Sequence, residues 1–185
     1  MNAIPSRLRR VQTTLVFVDF QERLLPAMTD SARVLQNAVR LAQAGTILDV
    51  PAWVTEQYPK GLGPTAPELA RAVARFAPVE KLVFSACEVP GWTEALTARD
   101  IADVVLCGME AHVCVCQTGL DLLDRGFRVF VVADAVASRT PENQRFGVER
   151  LRDAGATIVT TEMVLFELLG GAGTAEFKAV QTLVK

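Results

Sequence analysis

The sequence predicts an α/β fold, a three-layer α-β-α sandwich on a mostly parallel, six-stranded, Rossmann-like sheet. Three observations point there. Six short apolar runs alternate with stretches of helical periodicity along the chain. Runs such as Leu15-Val16-Phe17-Val18 and Val104-Val105-Leu106-Cys107 show no polar alternation, as expected of strands covered on both faces. No repeat, low-complexity tract or linker interrupts the 185 residues, so residues 1–185 are expected to form one domain around one core.

The first strand is Thr13 to Asp19, ended by a carboxylate. Ser31 to Gly45 carries apolar residues at 34, 35, 38, 39, 41 and 42, a helical spacing, with Gly45 as its stop. Pro51 to Thr55 is the second strand. Pro59, Gly61, Gly63, Pro64 and Pro67 predict a loop over 57–67, followed by a short helix from Glu68 to Phe76. Val79 to Val83 is the third strand, and a loop through Pro90 and Gly91 leads to a helix over Thr93 to Arg99. Ala102 to Cys107 is the fourth strand and Val113 to Arg125 a helix closed by Gly126. Arg128 to Val132 is the fifth strand, Pro141 to Ala154 a helix begun by its proline, and Thr157 to Val159 the sixth strand. Thr161 to Leu169 and Ala175 to Val184 are closing helices on either side of Gly170-Gly171.

Composition excludes several classes of function. Half the residues are hydrophobic and 22% are charged, the balance of a compact chain rather than a disordered one. No apolar run approaches the roughly 18 residues of a membrane span. The opening arginines, Arg7, Arg9 and Arg10, read as a solvated lead-in and not as a secretory signal. A cytoplasmic protein is expected, with no membrane partner. A net charge of −2 gives no drive towards nucleic acid. Four cysteines in an apolar chain of this size read as free thiols. Gly61 and Gly63 do not form a phosphate loop, and no nucleotide motif follows the first strand, so no cofactor is expected.

The most chemically loaded segment is Leu106-Cys107-Gly108-Met109-Glu110-Ala111-His112-Val113-Cys114-Val115-Cys116-Gln117-Thr118, read as a strand, a glycine turn and a helix with a cysteine in its first turn. A helix N-terminus offers unpaired N–H groups and a partial positive charge, which favour a thiolate over a thiol. Parallel sheets bind ligands beyond the carboxyl ends of their strands, where connections diverge. Asp19, Lys81 and Cys114 all fall near that rim. Together they can run covalent acyl transfer: Cys114 attacks a carbonyl, Asp19 shuttles the proton, and Lys81 pairs with the carboxylate and holds it in place. Turn amides, those of Glu110 and Cys114, would hold the oxyanion.

These pieces resemble the isochorismatase-like cysteine hydrolase family, which includes nicotinamidases and related amidases. The matching residues are Val18-Asp19-Phe20-Gln21, Lys81-Leu82-Val83-Phe84-Ser85 and Gly108-Met109-Glu110-Ala111-His112-Val113-Cys114-Val115, followed by Thr118, Asp121-Leu122-Leu123, Val132-Ala133-Asp134-Ala135 and Thr160-Thr161-Glu162. The resemblance implies the family's hydrolase fold, an Asp19, Lys81 and Cys114 triad, and a cis peptide at Met109–Glu110. Val54-Thr55-Glu56-Gln57-Tyr58-Pro59-Lys60-Gly61-Leu62-Gly63 resembles the metal-free subgroup known as isochorismatase domain-containing proteins. Nicotinamidases place an Asp and two His after the second strand; this chain has no histidine there, so no metal is expected. The resemblance also implies a dimer or larger homo-oligomer.

Plainer readings stand beside these. Cys107 and Cys116 read as core thiols, Cys116 lying roughly 200° around the helix from Cys114. Cys87 falls in the loop after Lys81, where lining the entrance is the lesser reading. His112, the single histidine, reads as a turn or interface residue rather than a partner of Cys114. Phe20, Gln21, Tyr58 and Trp92 are candidate pocket residues, with packing, capping or subunit contact as their alternatives. The function expected is hydrolysis of a C–N bond in a small amide-like substrate through a Cys114 thioester. The alternatives are a binding or scaffold protein of the same fold, or a thiol-redox sensor acting through Cys114.

Overall fold

The computed structural model describes residues 7–185. Six strands form one sheet: β1 (Thr13–Val18), β2 (Ala52–Gln57), β3 (Val79–Lys81), β4 (Asp103–Met109), β5 (Arg128–Ala137) and β6 (Thr157–Val159). Their order is β3-β2-β1-β4-β5-β6 and every strand pair is parallel, not merely most of them. β1 and β4 are buried along their whole length, which explains their unbroken apolar character.

The helices are α1 (Ser31–Ile47), α2 (Pro59–Leu62), α3 (Pro67–Ala72), α4 (Trp92–Thr97), α5 (Cys114–Asp124), α6 (Pro141–Asp153), α7 (Thr161–Leu169) and α8 (Ala175–Gln181). α1 packs with α3, α7 and α8, whereas α5 packs with α6. Right-handed crossovers put these two groups on opposite faces, because the sheet winds outward in both directions from its centre. The winding reverses between β1 and β4, so the connections leaving those two strands diverge and open a crevice at their carboxyl ends.

Several boundaries differ from expectation for local physical reasons. α1 runs through Gly45 to Ile47, because that glycine is a packing residue: a Cβ there would lie 2.7 Å from Leu15 Cδ1. The 57–67 loop holds a helical turn, α2, with Pro59 at its first position. β3 stops at Lys81, and Leu82 to Phe84 run exposed beyond it. β5 continues past Val132 to Ala137 through an irregularity: Leu106 pairs with Val131 but Gly108 pairs with Val136. Asp134, in that irregularity, accepts hydrogen bonds from Thr161 N and Oγ1, which ties β5 to the start of α7.

Of the arginine lead-in, Arg7 is exposed as expected, but Arg9 and Arg10 are tied down. Arg9 pairs with Asp103 and Arg10 with Glu176, so the segment before β1 is fastened to the body of the protein. Residues 1–6 of that lead-in lie outside the described residues. No described helix is long and apolar enough to cross a membrane.

Candidate active site

Asp19 follows β1 directly, in a left-handed backbone conformation (φ 54°), so the chain turns sharply at the strand end. Its side chain is fully buried and anchored twice. Thr55 Oγ1 donates to Asp19 Oδ1 at 2.6 Å, and Lys81 Nζ donates to Asp19 Oδ2 at 2.7 Å. Lys81 comes from β3, two strands away, and its ammonium is also fully buried.

Cys114 arrives from the other side of the crevice as the first residue of α5. Two close approaches fix its position. Gly108 has φ 133°, and a Cβ there would lie 2.1 Å from the Val18 carbonyl oxygen, so only glycine lets β4 end against the residue preceding Asp19. Gly147 on α6 lies against the Ala111 carbonyl, where a Cβ would approach to 2.5 Å, which seats the turn before α5. The Met109–Glu110 peptide in that turn is cis. The amides of Val113 and Val115 both donate to the Glu110 carbonyl, and that of Ala111 to Ala137.

The sulfur differs from the sequence expectation. A thiol at a helix N-terminus was expected to ionise readily, but Cys114 is only 6% exposed. Burial pushes its pKa up to about 12; the Asp19 carboxylate adds to the rise and Lys81 opposes it. Desolvation therefore outweighs the ammonium, and the balance favours the thiol. The charges of Asp19 and Lys81 both act on the sulfur. The acid, the amine and the thiol thus share one buried cluster.

The sequence reading passed over Gln57. Its side-chain Oε1 accepts from Lys81 Nζ at 2.7 Å and lies 4.0 Å from Cys114 Sγ, while its Nε2 donates to the Leu82 carbonyl. A signal was present, because Thr55 and Gln57 are i and i+2 on one strand and so share a face, and a polar pair at the end of an otherwise apolar strand faces a site. Predicting β2 to end at Thr55 hid it.

The other candidates separate. Gln21 is fully buried; it accepts from Gln57 N and donates to Gln57 O and Gly63 O, so it braces the end of β2. Tyr58, half exposed, donates its amide to the Lys81 carbonyl and borders the cluster. Phe20 and Trp92 are packing residues. Phe20 meets Phe17 edge-on at 6.4 Å between ring centroids, and Trp92 meets Trp53 at 6.2 Å. His112 Nδ1 is 3.0 Å from Ser138 Oγ, a contact with the residue just past β5. Cys87 is buried against the Thr118 carbonyl of α5 rather than lining an entrance, and burial pushes it up to about 11. Cys107 and Cys116 are buried in the core. Among the described residues, no group of three His, Cys, Asp or Glu side chains is placed to hold a metal ion.

Residues 13–163 match the isochorismatase domain. Isochorismatase domain-containing protein 2 of Danio rerio is 41% identical over 178 residues, covering 96% of this chain and 89% of its own. The structure described as MAR1 ribonuclease from Caenorhabditis elegans superposes with a TM-score of 0.90 at 39% identity, covering 97% of this chain and 92% of that one. The YcaC gene product of Escherichia coli, described as an octameric hydrolase of unknown specificity, shares the fold with a TM-score of 0.90 at 23% identity, over 98% and 92% of the two chains. With its parallel sheet, its crevice at the β1/β4 divergence and 151 of its residues inside the matched domain, the chain belongs to the isochorismatase family and has the fold of its cysteine hydrolases.

Proposed function

We propose that this protein is a metal-independent cysteine hydrolase that cleaves a C–N bond in a small amide-like substrate, with Asp19, Lys81 and Cys114 as its catalytic residues. The observation that carries the reading is a buried thiol that shares one cluster with a buried carboxylate and its lysine partner. Asp19 removes the Cys114 proton as the sulfur attacks the carbonyl carbon, so charge need not develop on the buried sulfur before a substrate is present. The amides of Glu110 and Cys114 stabilise the tetrahedral oxyanion, Cys114 offering one of the unspent N–H groups of the α5 terminus. The C–N bond then breaks and Asp19 returns the proton to the departing amine. Water adds to the thioester, giving its proton to Asp19, and the acid leaves as the sulfur is reprotonated. Lys81 holds Asp19 in position throughout and offsets the charge that forms on sulfur.

The high thiol pKa weighs against a peroxide sensor, which relies on an accessible thiolate. Four free, buried cysteines fit a reducing compartment, the cytoplasm. The octameric description of the E. coli relative, with the exposed Tyr58, Leu82 and Phe84 beside the cluster, favours a homo-oligomer. The test is incubation with a panel of small primary amides, carbamoyl compounds and a short RNA, with intact-mass spectrometry of the quenched protein. An acyl adduct mapped to Cys114, with turnover abolished in Cys114→Ala at unchanged melting temperature, is the expected result. Amide turnover that survives Cys114→Ala, or cleavage of the RNA alone, overturns it.

A further inference from the structure

We propose that Gln57 is a positioning residue of this cluster: its amide oxygen holds the Lys81 ammonium and sets how much of that charge reaches the Cys114 sulfur. The inference rests on the function proposed above and adds a residue that the triad does not contain.

The hydrogen-bond chain leaves Gln57 one orientation. Its Nε2 donates to the Leu82 carbonyl at 2.9 Å, and Oε1 accepts from Lys81 at 2.7 Å. A reversed amide would set NH2 against an ammonium and oxygen against a carbonyl, losing both bonds. The backbone is clamped as well, because the fully buried Gln21 bonds both the N–H and the C=O of Gln57. Register adds a third constraint, since Gln57 and Lys81 are direct partners across the β2/β3 ladder.

An ammonium has three N–H donors. Asp19 Oδ2 takes one and Gln57 Oε1 another. The charge of Lys81 also acts on the Cys114 sulfur. Gln57 thereby engages a second proton of Lys81, and that same oxygen, 4.0 Å from the sulfur, places a partial negative charge beside it. The two influences oppose each other: the ammonium favours a thiolate, and the amide oxygen that engages it disfavours one. The charged side chains acting on the sulfur are Asp19 and Lys81; nearby Glu110 is paired with Arg139, and His112 turns to Ser138.

The test compares Gln57→Met, which keeps the length and removes both polar atoms, with Gln57→Glu, which replaces the amide by a carboxylate. The readout is the rate of Cys114 alkylation by iodoacetamide at a fixed, mildly alkaline pH, followed by peptide mass spectrometry, with thermal melting as the check on folding. Gln57→Glu is expected to slow alkylation about tenfold, because a full negative charge a few ångströms away disfavours the thiolate. Gln57→Met is expected to speed it about threefold, since the oxygen dipole is gone while the ammonium remains. Loosened packing alone would move both variants the same way. Rates that match wild type in both variants, or that shift together, overturn the proposal. Alkylation needs no substrate, so the opposed shifts can hold even if no amide is hydrolysed, and that pairing of results would sink the proposed function while leaving this role of Gln57 standing.

Discussion

Two buried aspartates stand at opposite ends of the central strands, and their difference separates a structural carboxylate from one available for chemistry. Asp103 opens β4 and Asp19 follows β1; both side chains are fully buried and both pair with cations. Asp103 is saturated. Arg9 donates its backbone N–H, Nε and one terminal nitrogen, and Arg128 adds Nε and its own terminal nitrogen. Burial alone would raise the Asp103 pKa, but these bonds reverse the effect and hold it below the ordinary carboxylate value. Asp19 receives one bond from Thr55 and one from Lys81, with a thiol alongside. A forked guanidinium fills a carboxylate, whereas an ammonium donates as a point and leaves lone pairs open. Arginine at the amino end fills its carboxylate, and lysine at the carboxyl end leaves lone pairs open.

The largest effect expected from the proposed function is at the Asp19 end. Asp19→Asn is expected to lower turnover per folded molecule about a thousandfold, the middle of the range for losing a general base. Alkylation of Cys114 should become faster in the same variant, because the carboxylate that helps raise its pKa is gone. A variant with slower alkylation and normal turnover would merge the two aspartates into one structural class.

At the other end, Asp103→Asn is expected to cost about 2–4 kcal/mol of stability, with turnover unchanged per folded molecule. Chemical denaturation and active-site titration measure the two quantities separately. A loss of catalysis without loss of stability would break the division.

The smallest effect is in acid. Asp103 has a depressed folded-state pKa, so its contribution is complete above the unfolded value of about 3.9 and fades as pH falls through the folded one. Asp103→Asn should therefore show a flatter loss of stability below about pH 4 than wild type. Parallel acid limbs in the two proteins would place the depressed pKa elsewhere.

Much of this is legible in the sequence. The strand and helix order followed from apolar periodicity, which reports local geometry. Asp19, Lys81 and Cys114 stood out because each is a reactive side chain at the end or start of an element in a sheet whose ligand crevice lies there. Element ends were less legible: β5 reads as finished at Val132 because Asp134 breaks the apolar run, yet an irregular stretch carries pairing on to Ala137. Gln57 was hidden for the same reason, one polar residue past an expected boundary. Trp92 and Phe20 looked like pocket walls because an aromatic ring serves a pocket and a core equally well, and only their partners, Trp53 and Phe17, decide between the two.

The sequence by itself determined the layered α/β architecture and the cast of reactive groups, because hydrophobic periodicity and side-chain chemistry are properties of short segments. Tertiary structure alone decided their state. Register set Gln57 beside Lys81, the close approach at Gly108 carried β4 against the end of β1, and burial pushed the Cys114 pKa up where a helix terminus alone would lower it. The physical reason is range. Periodicity acts between residues a few positions apart, whereas desolvation and ion pairing depend on groups such as Asp19 and Lys81, 62 positions apart, that meet only once the chain has folded.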